Sequence, residues 1–164
     1  MIALSPLASP DVITSEGLAC DLACFPTREK NYALVESVKG DGFEMSVDLC
    51  AVDYLEFDGW ILPKSVASTR FEVVVNLLSL SKKQRVRVRI QAGDDEPEVD
   101  SLFSLYPGAE AMEREAFYLM GVLFTNHPDL TRILTLEEWE DHPLRKGCGS
   151  GRVPVQFKES PGPW

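Results

Sequence analysis

The sequence predicts an α+β fold, with helices packed on a mostly antiparallel sheet and an extended arm at the C-terminus. Three observations predict it. A helix-period stretch near the N-terminus gives way to alternating, β-branched stretches, and the helical period then returns. The last 23 residues, His142 to Trp164, hold four Gly and four Pro and show no period. Residues 1–141 are therefore read as one α+β domain and 142–164 as a partner-binding arm.

The elements follow in order. The first ten residues, with Pro6 and Pro10, are read as a lead-in. Asp21 to Phe25 is a short strand ended by Pro26. Thr27 is placed to cap a helix from about Arg28 to Lys39, stopped by Gly40 and Gly42, with Leu34/Val38 and Tyr32/Val35 forming its apolar stripe. Glu44 to Leu55 alternates, which sets Met45, Val47, Leu49 and Ala51 on one face. Phe71 to Leu80 has the β-branched run of a strand covered on both sides. A polar turn from Ser81 to Gln84 leads to Arg85–Ile90, so the two strands form a hairpin. Gly93 to Glu96 is an acidic loop. From Glu98 the spacing of Val99, Leu102, Phe103 and Tyr106 predicts a helix, broken at Pro107-Gly108. A second helix runs from about Ala109 to Met120 and stops at Gly121.

Composition narrows the function classes. Sixteen basic and 26 acidic residues in 164 give a net charge of −10. Nucleic acid is an unsuitable partner for such a chain, because binding it relies on a basic face that displaces counterions. The longest mostly apolar stretch, Ala116 to Phe124, is nine residues, far below the roughly 20 that span a bilayer. The N-terminus lacks the basic and apolar regions of a secretory signal. Four scattered cysteines do not form a disulfide framework, and a cytoplasmic compartment is expected.

Motifs for chemistry are scarce. His127 and His142 are the only histidines, each followed by Pro, and both are read as structural. GxSxG, Walker A and GxGxxG are absent. Cys20/Cys24 and His142/Cys148 are too loosely spaced for a zinc or iron–sulfur site. The acids from Asp94 to Asp100 read as a solvated face. Arg85, Arg87 and Arg89 read either as a solvated strand face or as a basic strip for an acidic partner. Asp53, Glu56 and Asp58 are the acids a small free-standing enzyme could use.

The segment Glu113 to Leu134 is the most informative. Its helix is apolar nearly all round after Glu113-Arg114-Glu115, so both faces need cover, and a partner protein is the natural candidate. Glu113 and Arg114 lie one turn before Phe117 and Tyr118, over whose rings their charges are expected to sit. His127 and Arg132 are placed to pair with the acidic helix start or with another chain. In the arm, Val153, Val155 and Phe157 alternate with polar residues and Pro154, a strip that gains stability by lying on another protein.

These residues also carry a resemblance. Glu113-Arg114-Glu115-Ala116-Phe117, Leu119-Met120-Gly121, His127-Pro128-Asp129-Leu130 and Arg132-Ile133-Leu134 resemble the signature of the C subunit of bacterial NADH:quinone oxidoreductase, respiratory complex I. Trp139 to Lys146 and Gly151 to Lys158 are similar to that family's C-terminal arm. Ala51 to Tyr54, Val75 to Leu80 and Arg85 to Arg89 are similar to its central strands. Two places depart from it. The family has an acid where Tyr118 stands and an Asp-Tyr pair where Gly147 and Cys148 stand. The resemblance implies a non-catalytic member of the peripheral arm, with no cofactor of its own, while FMN and iron–sulfur clusters sit in partner subunits. It implies bracing of subunits B and D, where quinone is reduced, on the cytoplasmic side of the inner (plasma) membrane. Relatives that use ferredoxin or a deazaflavin, and membrane-bound hydrogenases, share the module. Carried over, the interface and signature residues are Glu113, Arg114, Glu115, Gly121, His127, Asp129, Arg132, His142, Arg145 and Lys146, none with a chemical role.

Overall fold

The computed structural model describes residues 12–17, 20–57, 62–131 and 141–147. Five strands form one mixed sheet in the order β1-β2-β5-β4-β3, where β1 is Val12–Gly17, β2 Cys20–Pro26, β3 Met45–Asp53, β4 Phe71–Ser79 and β5 Gln84–Gly93. Three of its four pairings are antiparallel; β2 and β5 run parallel. Helix α1, Asn31–Gly40, carries the chain across one face of the sheet, from β2 to β3 at the far edge. A short parallel pair, β6 (Glu98–Asp100) and β7 (Leu123–Thr125), brackets helix α2, Glu110–Met120. The α+β class and the β4–β5 hairpin are as the sequence predicts.

One face of the sheet is apolar because the alternation of β4 and β5 places Val73, Val75, Leu77, Val86, Val88 and Ile90 together. Leu34, Val35 and Val38 of α1 and Ala116 of α2 complete a single buried cluster with them. The opposite face holds the polar alternates. There Glu72 is fully buried: Arg89 donates to it through Nε at 2.7 Å and Nη2 at 3.0 Å, and Gln91 Nε2 donates at 2.6 Å. The Arg89 guanidinium also lies 5.0 Å from the Phe25 ring. Arg87 Nε donates to Asn76 Oδ1 at 3.0 Å. The arginine strip is thus largely engaged within the sheet, so neither a purely solvated face nor an open basic strip describes it.

Four local expectations are corrected. Glu98 to Tyr106 is not a helix. The chain makes the three-residue strand β6 and then turns, with Tyr106 N–H donating to Leu102 O at 2.7 Å. Val99, Leu102 and Tyr106 are buried as the helical spacing suggested, but by a strand and a turn. Arg28–Lys30 is a 3₁₀ turn ahead of α1, and the Thr27 side chain makes no cap bond. The Met45–Ala51 alternation is interrupted between Ser46 and Asp48 by a register shift, which leaves Met45 and Val47 about half exposed, at 45% and 47%. Strands β1 and β7 were not legible in the sequence.

Removing one partner of a buried ion pair strands the other charge, which costs roughly 3–5 kcal/mol. Arg89→Ala should therefore lower unfolding free energy by about 3 kcal/mol in urea titrations, and Glu72→Met in the same chain should restore most of that loss. A loss under about 1 kcal/mol for the single variant would remove the pair from the account of the fold.

Candidate functional site: the end of helix α2 and the segments it holds

Helix α2 divides its signature triplet three ways. Glu113 turns inward and is fully buried. Ser101 Oγ donates to its Oε2 at 2.6 Å and Leu102 N–H to its Oε1 at 2.7 Å. Its carboxylate thus closes the turn that follows β6. Burial pushes the Glu113 carboxyl up from 4.5 to about 7, against the opposing pull of those two donors. Arg114 reaches sideways, donating through Nε to Thr131 O at 2.9 Å and through Nη2 to Thr131 Oγ1 at 2.6 Å. Glu115 is exposed. Among the described contacts, neither the Glu113 nor the Arg114 charge lies over Phe117 or Tyr118; the nearby polar loops take both side chains instead.

The loop from His127 to Thr131 closes back on this helix. Asp129 N–H donates to His127 Nδ1 at 3.1 Å, which leaves the proton of the neutral ring on Nε2. That Nε2 stands 3.8 Å from Glu113 Oε2, with both side chains buried. The pairing of His127 with the acidic helix start is therefore seen at ion-pair range, without a hydrogen bond. The Asp129 carboxylate accepts from Thr131 N–H at 2.9 Å and Thr131 Oγ1 at 3.1 Å, and these bonds hold its pKa below the ordinary value. Arg132 lies outside the described residues.

The C-terminal end of α2 is the densest junction. An α-helix leaves its last carbonyls without internal partners. Here residues 142 to 145 supply them. His142 Nδ1 donates to Tyr118 O at 3.0 Å, and Leu144 N–H donates to Leu119 O at 3.0 Å. Arg145 donates through Nε to Met120 O at 2.7 Å and through Nη2 to Gly121 O at 3.2 Å. Gly121 sits at φ 72°, and a Cβ there would come within 2.3 Å of Arg145 and 2.6 Å of His142. Glycine is required on both counts.

Lys146 continues the lock onto the sheet. Its N–H donates to Asp53 Oδ2 at 2.9 Å, and its carbonyl accepts from Arg70 Nη2 at 2.9 Å. Arg70 meanwhile holds Asp53 through Nε at 3.0 Å and Nη2 at 2.8 Å. Burial alone would raise the Asp53 carboxyl, but the bonds from Arg70, Leu55 N–H and Lys146 N–H outweigh it and hold the pKa low. The centroid of the buried Phe71 ring lies 4.7 Å from the Arg70 guanidinium and 5.0 Å from that of Arg145.

The structure thus joins Glu113 with His127, Arg114 with the loop of Asp129, and Gly121 with His142 and Arg145. Sequence reasoning missed Arg70, Phe71, Ser101 and Thr131, and considered Asp53 as an enzyme acid and as part of a family-like strand, without a role at this junction. Of these only Asp53, an acid at a strand end, carried any sequence signal; the others contact residues far away in the chain. Tyr118 is buried, and its hydroxyl has no hydrogen-bond partner among the described residues. Cys24 is buried in the core, where desolvation pushes its thiol up to about 12. Asp58 and Cys148 lie outside the described residues. Among the described residues no cluster of three or more His, Cys, Asp or Glu could hold a metal ion.

The close packing at Gly121 has a measurable consequence. Gly121→Ala combines the φ penalty with a clash at Arg145 and His142, so it should cost about 2 kcal/mol or more in urea denaturation. A loss no larger than that of Gly108→Ala, where a Cβ meets nothing within 4 Å, would contradict the close approach. Burial of Glu113 has another, in pH. The folded Glu113 carboxyl titrates above its unfolded value, so its stabilising contribution is full below about pH 4.5 and is lost as pH rises through about 7. Glu113→Gln should abolish that slope, worth about 3 kcal/mol, and be the more stable chain at pH 8. Equal pH slopes for the two chains would rule this out.

Comparison with known proteins identifies the family. The family described as respiratory-chain NADH dehydrogenase, 30 Kd subunit, matches residues 26–152. The NADH-quinone oxidoreductase C subunit of Sinorhizobium medicae is 44% identical over 133 residues, 79% of this chain and 61% of that protein. The C subunit of Bordetella pertussis is 48% identical over 121 residues, 70% of this chain and 58% of its own length. The Roseiflexus sp. C subunit is 36% identical over 154 residues, 92% of this chain and 83% of the relative. The chain therefore spans about three fifths of the first two relatives. Among solved structures, a trypsin-resistant fragment of Nqo5 superposes with a TM-score of 0.62 at 29% identity, covering 73% of this chain and 89% of the fragment. A chain of an archaeal membrane-bound sulfane sulfur reductase superposes at 0.69 with 20% identity, which shows the fold alone. With the family match running from the end of β2 through the segment that locks α2, the chain belongs to the respiratory-chain NADH dehydrogenase 30 Kd subunit family, that of the C subunits of NADH-quinone oxidoreductase.

Proposed function

We propose that this chain is a non-catalytic scaffold in the peripheral arm of a proton-pumping NADH:quinone oxidoreductase. The observation that carries this reading is how the signature residues use their polar atoms. Glu113, Arg114, His127, Asp129, His142 and Arg145 are spent on closing loops against α2, and their chemistry serves position. In this reading the chain braces the quinone-reducing module formed with subunits B and D. FMN and the iron–sulfur clusters belong to partner subunits, and electrons pass from NADH to quinone without touching this chain. In this reading residues 142–164 are the arm that binds the D subunit, and the described start of it is held by this chain's own α2, Asp53 and Arg70.

Attachment to the cytoplasmic side of the membrane comes through those partners. No helix among the described residues is long and apolar enough to cross a membrane. Asp53, the leading acid of a free-standing enzyme, is occupied by Arg70 and two backbone donors, which disfavours that alternative.

Affinity purification of the tagged chain from detergent-solubilised membranes tests the reading. Subunits B and D should co-elute with iron–sulfur absorbance, and NADH-binding subunits in the same eluate would separate this enzyme from ferredoxin- or deazaflavin-dependent relatives and hydrogenases. Arg132→Ala or Arg145→Ala should lower the yield of complex by about tenfold, roughly 1.4 kcal/mol of assembly free energy, with the chain still folded by circular dichroism. Full complex yield with lost turnover would instead make these residues chemical. A colourless chain eluting alone would overturn the scaffold role.

A further inference from the structure

Two titratable side chains meet in the interior beside α2, and one polar atom between them is unpaired. Glu113 of α2 and His127 of the following loop both have fully buried side chains, and Nε2 of the ring lies 3.8 Å from Oε2 of the carboxylate. Asp129 N–H donates to Nδ1 at 3.1 Å, so the neutral ring carries its hydrogen on Nε2. That hydrogen has no acceptor among the described residues. A buried N–H without an acceptor is destabilising, and the nearest carboxylate oxygen is about 1 Å too far to satisfy it. An ionised carboxylate could take it. Its two oxygens offer about four acceptor positions, and the donors already on Glu113 are Ser101 Oγ and Leu102 N–H.

The same geometry decides where an added proton goes. His127 can take one only at Nδ1, which would break its bond with Asp129 N–H. Glu113 can take one on Oε2 and donate it to Ser101 Oγ, which accepts Phe103 N–H at 3.1 Å and has a second lone pair. The other ionisable groups on the elements packed here are engaged or exposed. On β6, Glu98 pairs with Arg28 and Asp100 accepts from Thr125 Oγ1 at 3.0 Å. Tyr106, after the turn, donates to Phe43 O. On α2, Arg114 lies 3.9 Å from Glu110 and reaches to Thr131, while Glu115 is exposed. Asp129 of the loop accepts from Thr131 and is exposed. The loop itself has freedom to shift. Its first tie, His127 N–H to Phe124 O, is long at 3.4 Å, and Pro128, Asp129 and Thr131 face solvent.

We propose that Glu113 and His127 form a proton-operated latch on the loop of residues 127–131. With Glu113 protonated, the ring stands off at the separation seen here. With Glu113 ionised, Nε2–H closes onto Oε2 to about 2.8 Å, a charge-assisted bond, and draws the loop against α2. The proton is exchanged with solvent at the Glu113 carboxyl, and His127 stays neutral in both states. The moving loop carries His127-Pro128-Asp129-Leu130, so the surface it presents differs between the two states. The latch is internal to this chain and does not depend on the scaffold reading above.

NMR of the full chain, with isotope-labelled carboxyl carbons and imidazole nitrogens, follows both groups through one pH titration. As the Glu113 carboxyl carbon, assigned through its own backbone, reports loss of its proton, the His127 Nε2–H resonance should move downfield. Over the same step Nδ1 should keep the shift of an unprotonated nitrogen. Protection of Asp129 N–H against hydrogen exchange should rise about tenfold, because the ring is then fixed at both nitrogens. In Glu113→Gln, which keeps the shape and removes the charge, the ring and Asp129 N–H should hold constant across that range. The wild-type titration decides by itself if this variant folds poorly. A proton taken up at His127 Nδ1 on the Glu113 step, or a ring and loop that do not respond to that step, would overturn the latch. A Glu113→Gln chain that folds and still shows the loop response would overturn it as well.

Discussion

The last turn of α2 presents carbonyls 118 to 121 with no partners inside the helix, and the arrangement of the other elements depends on how they are met. His142, Leu144 and Arg145 take all four. Because Gly121 has no Cβ, the segment can approach within bonding distance. Arg145 then reaches the Phe71 ring at the start of β4, and Lys146 falls onto Asp53 at the end of β3. One helix terminus thereby aligns α2 with the edge of the sheet.

Three buried carboxylates show how differently the same group is accommodated. Glu72 and Asp53 are each gripped by an arginine through two nitrogens, so their charges are balanced where they lie. Glu113 is met only by the uncharged donors of Ser101 and Leu102, so burial raises its pKa. The two histidines are set in opposite tautomers by their neighbours. His127 accepts a backbone N–H at Nδ1, whereas His142 must donate from Nδ1 to a carbonyl. Both rings order turns, and their hydrogen bonds make that role physical.

Much of the fold was legible because its signals are local. The period-two runs of β4 and β5 placed the hairpin and the apolar face, and Gly121 marked the end of α2. The region from Glu98 to Tyr106 misled because burial at helical spacing has more than one cause. Leu102 is buried under the carboxylate of Glu113, which bonds its N–H and holds a turn there in place of a helix. The register shift at Val47 misled for a similar reason, since it depends on pairing with β4 and not on β3's own residues. The apolar excess of α2 implied two covered faces. The chain itself supplies the sheet on one side, and residues 142–145 cap the end, yet Phe117, Leu119 and Met120 remain half-buried.

By itself the sequence determined the fold class, the position of the main strands and helices, and the signature string from Glu113 to Lys146. It determined these because periodicity, glycine at a left-handed position and motif order are properties of neighbouring residues. Only the tertiary structure decided what the signature residues do. Glu113 turns to Ser101 and Leu102, Arg114 to Thr131, Arg145 to the end of α2, and Lys146 to Asp53 with Arg70. Several of these partners are dozens of residues away, and a side chain's partner across such a distance is set by packing, which no local pattern encodes.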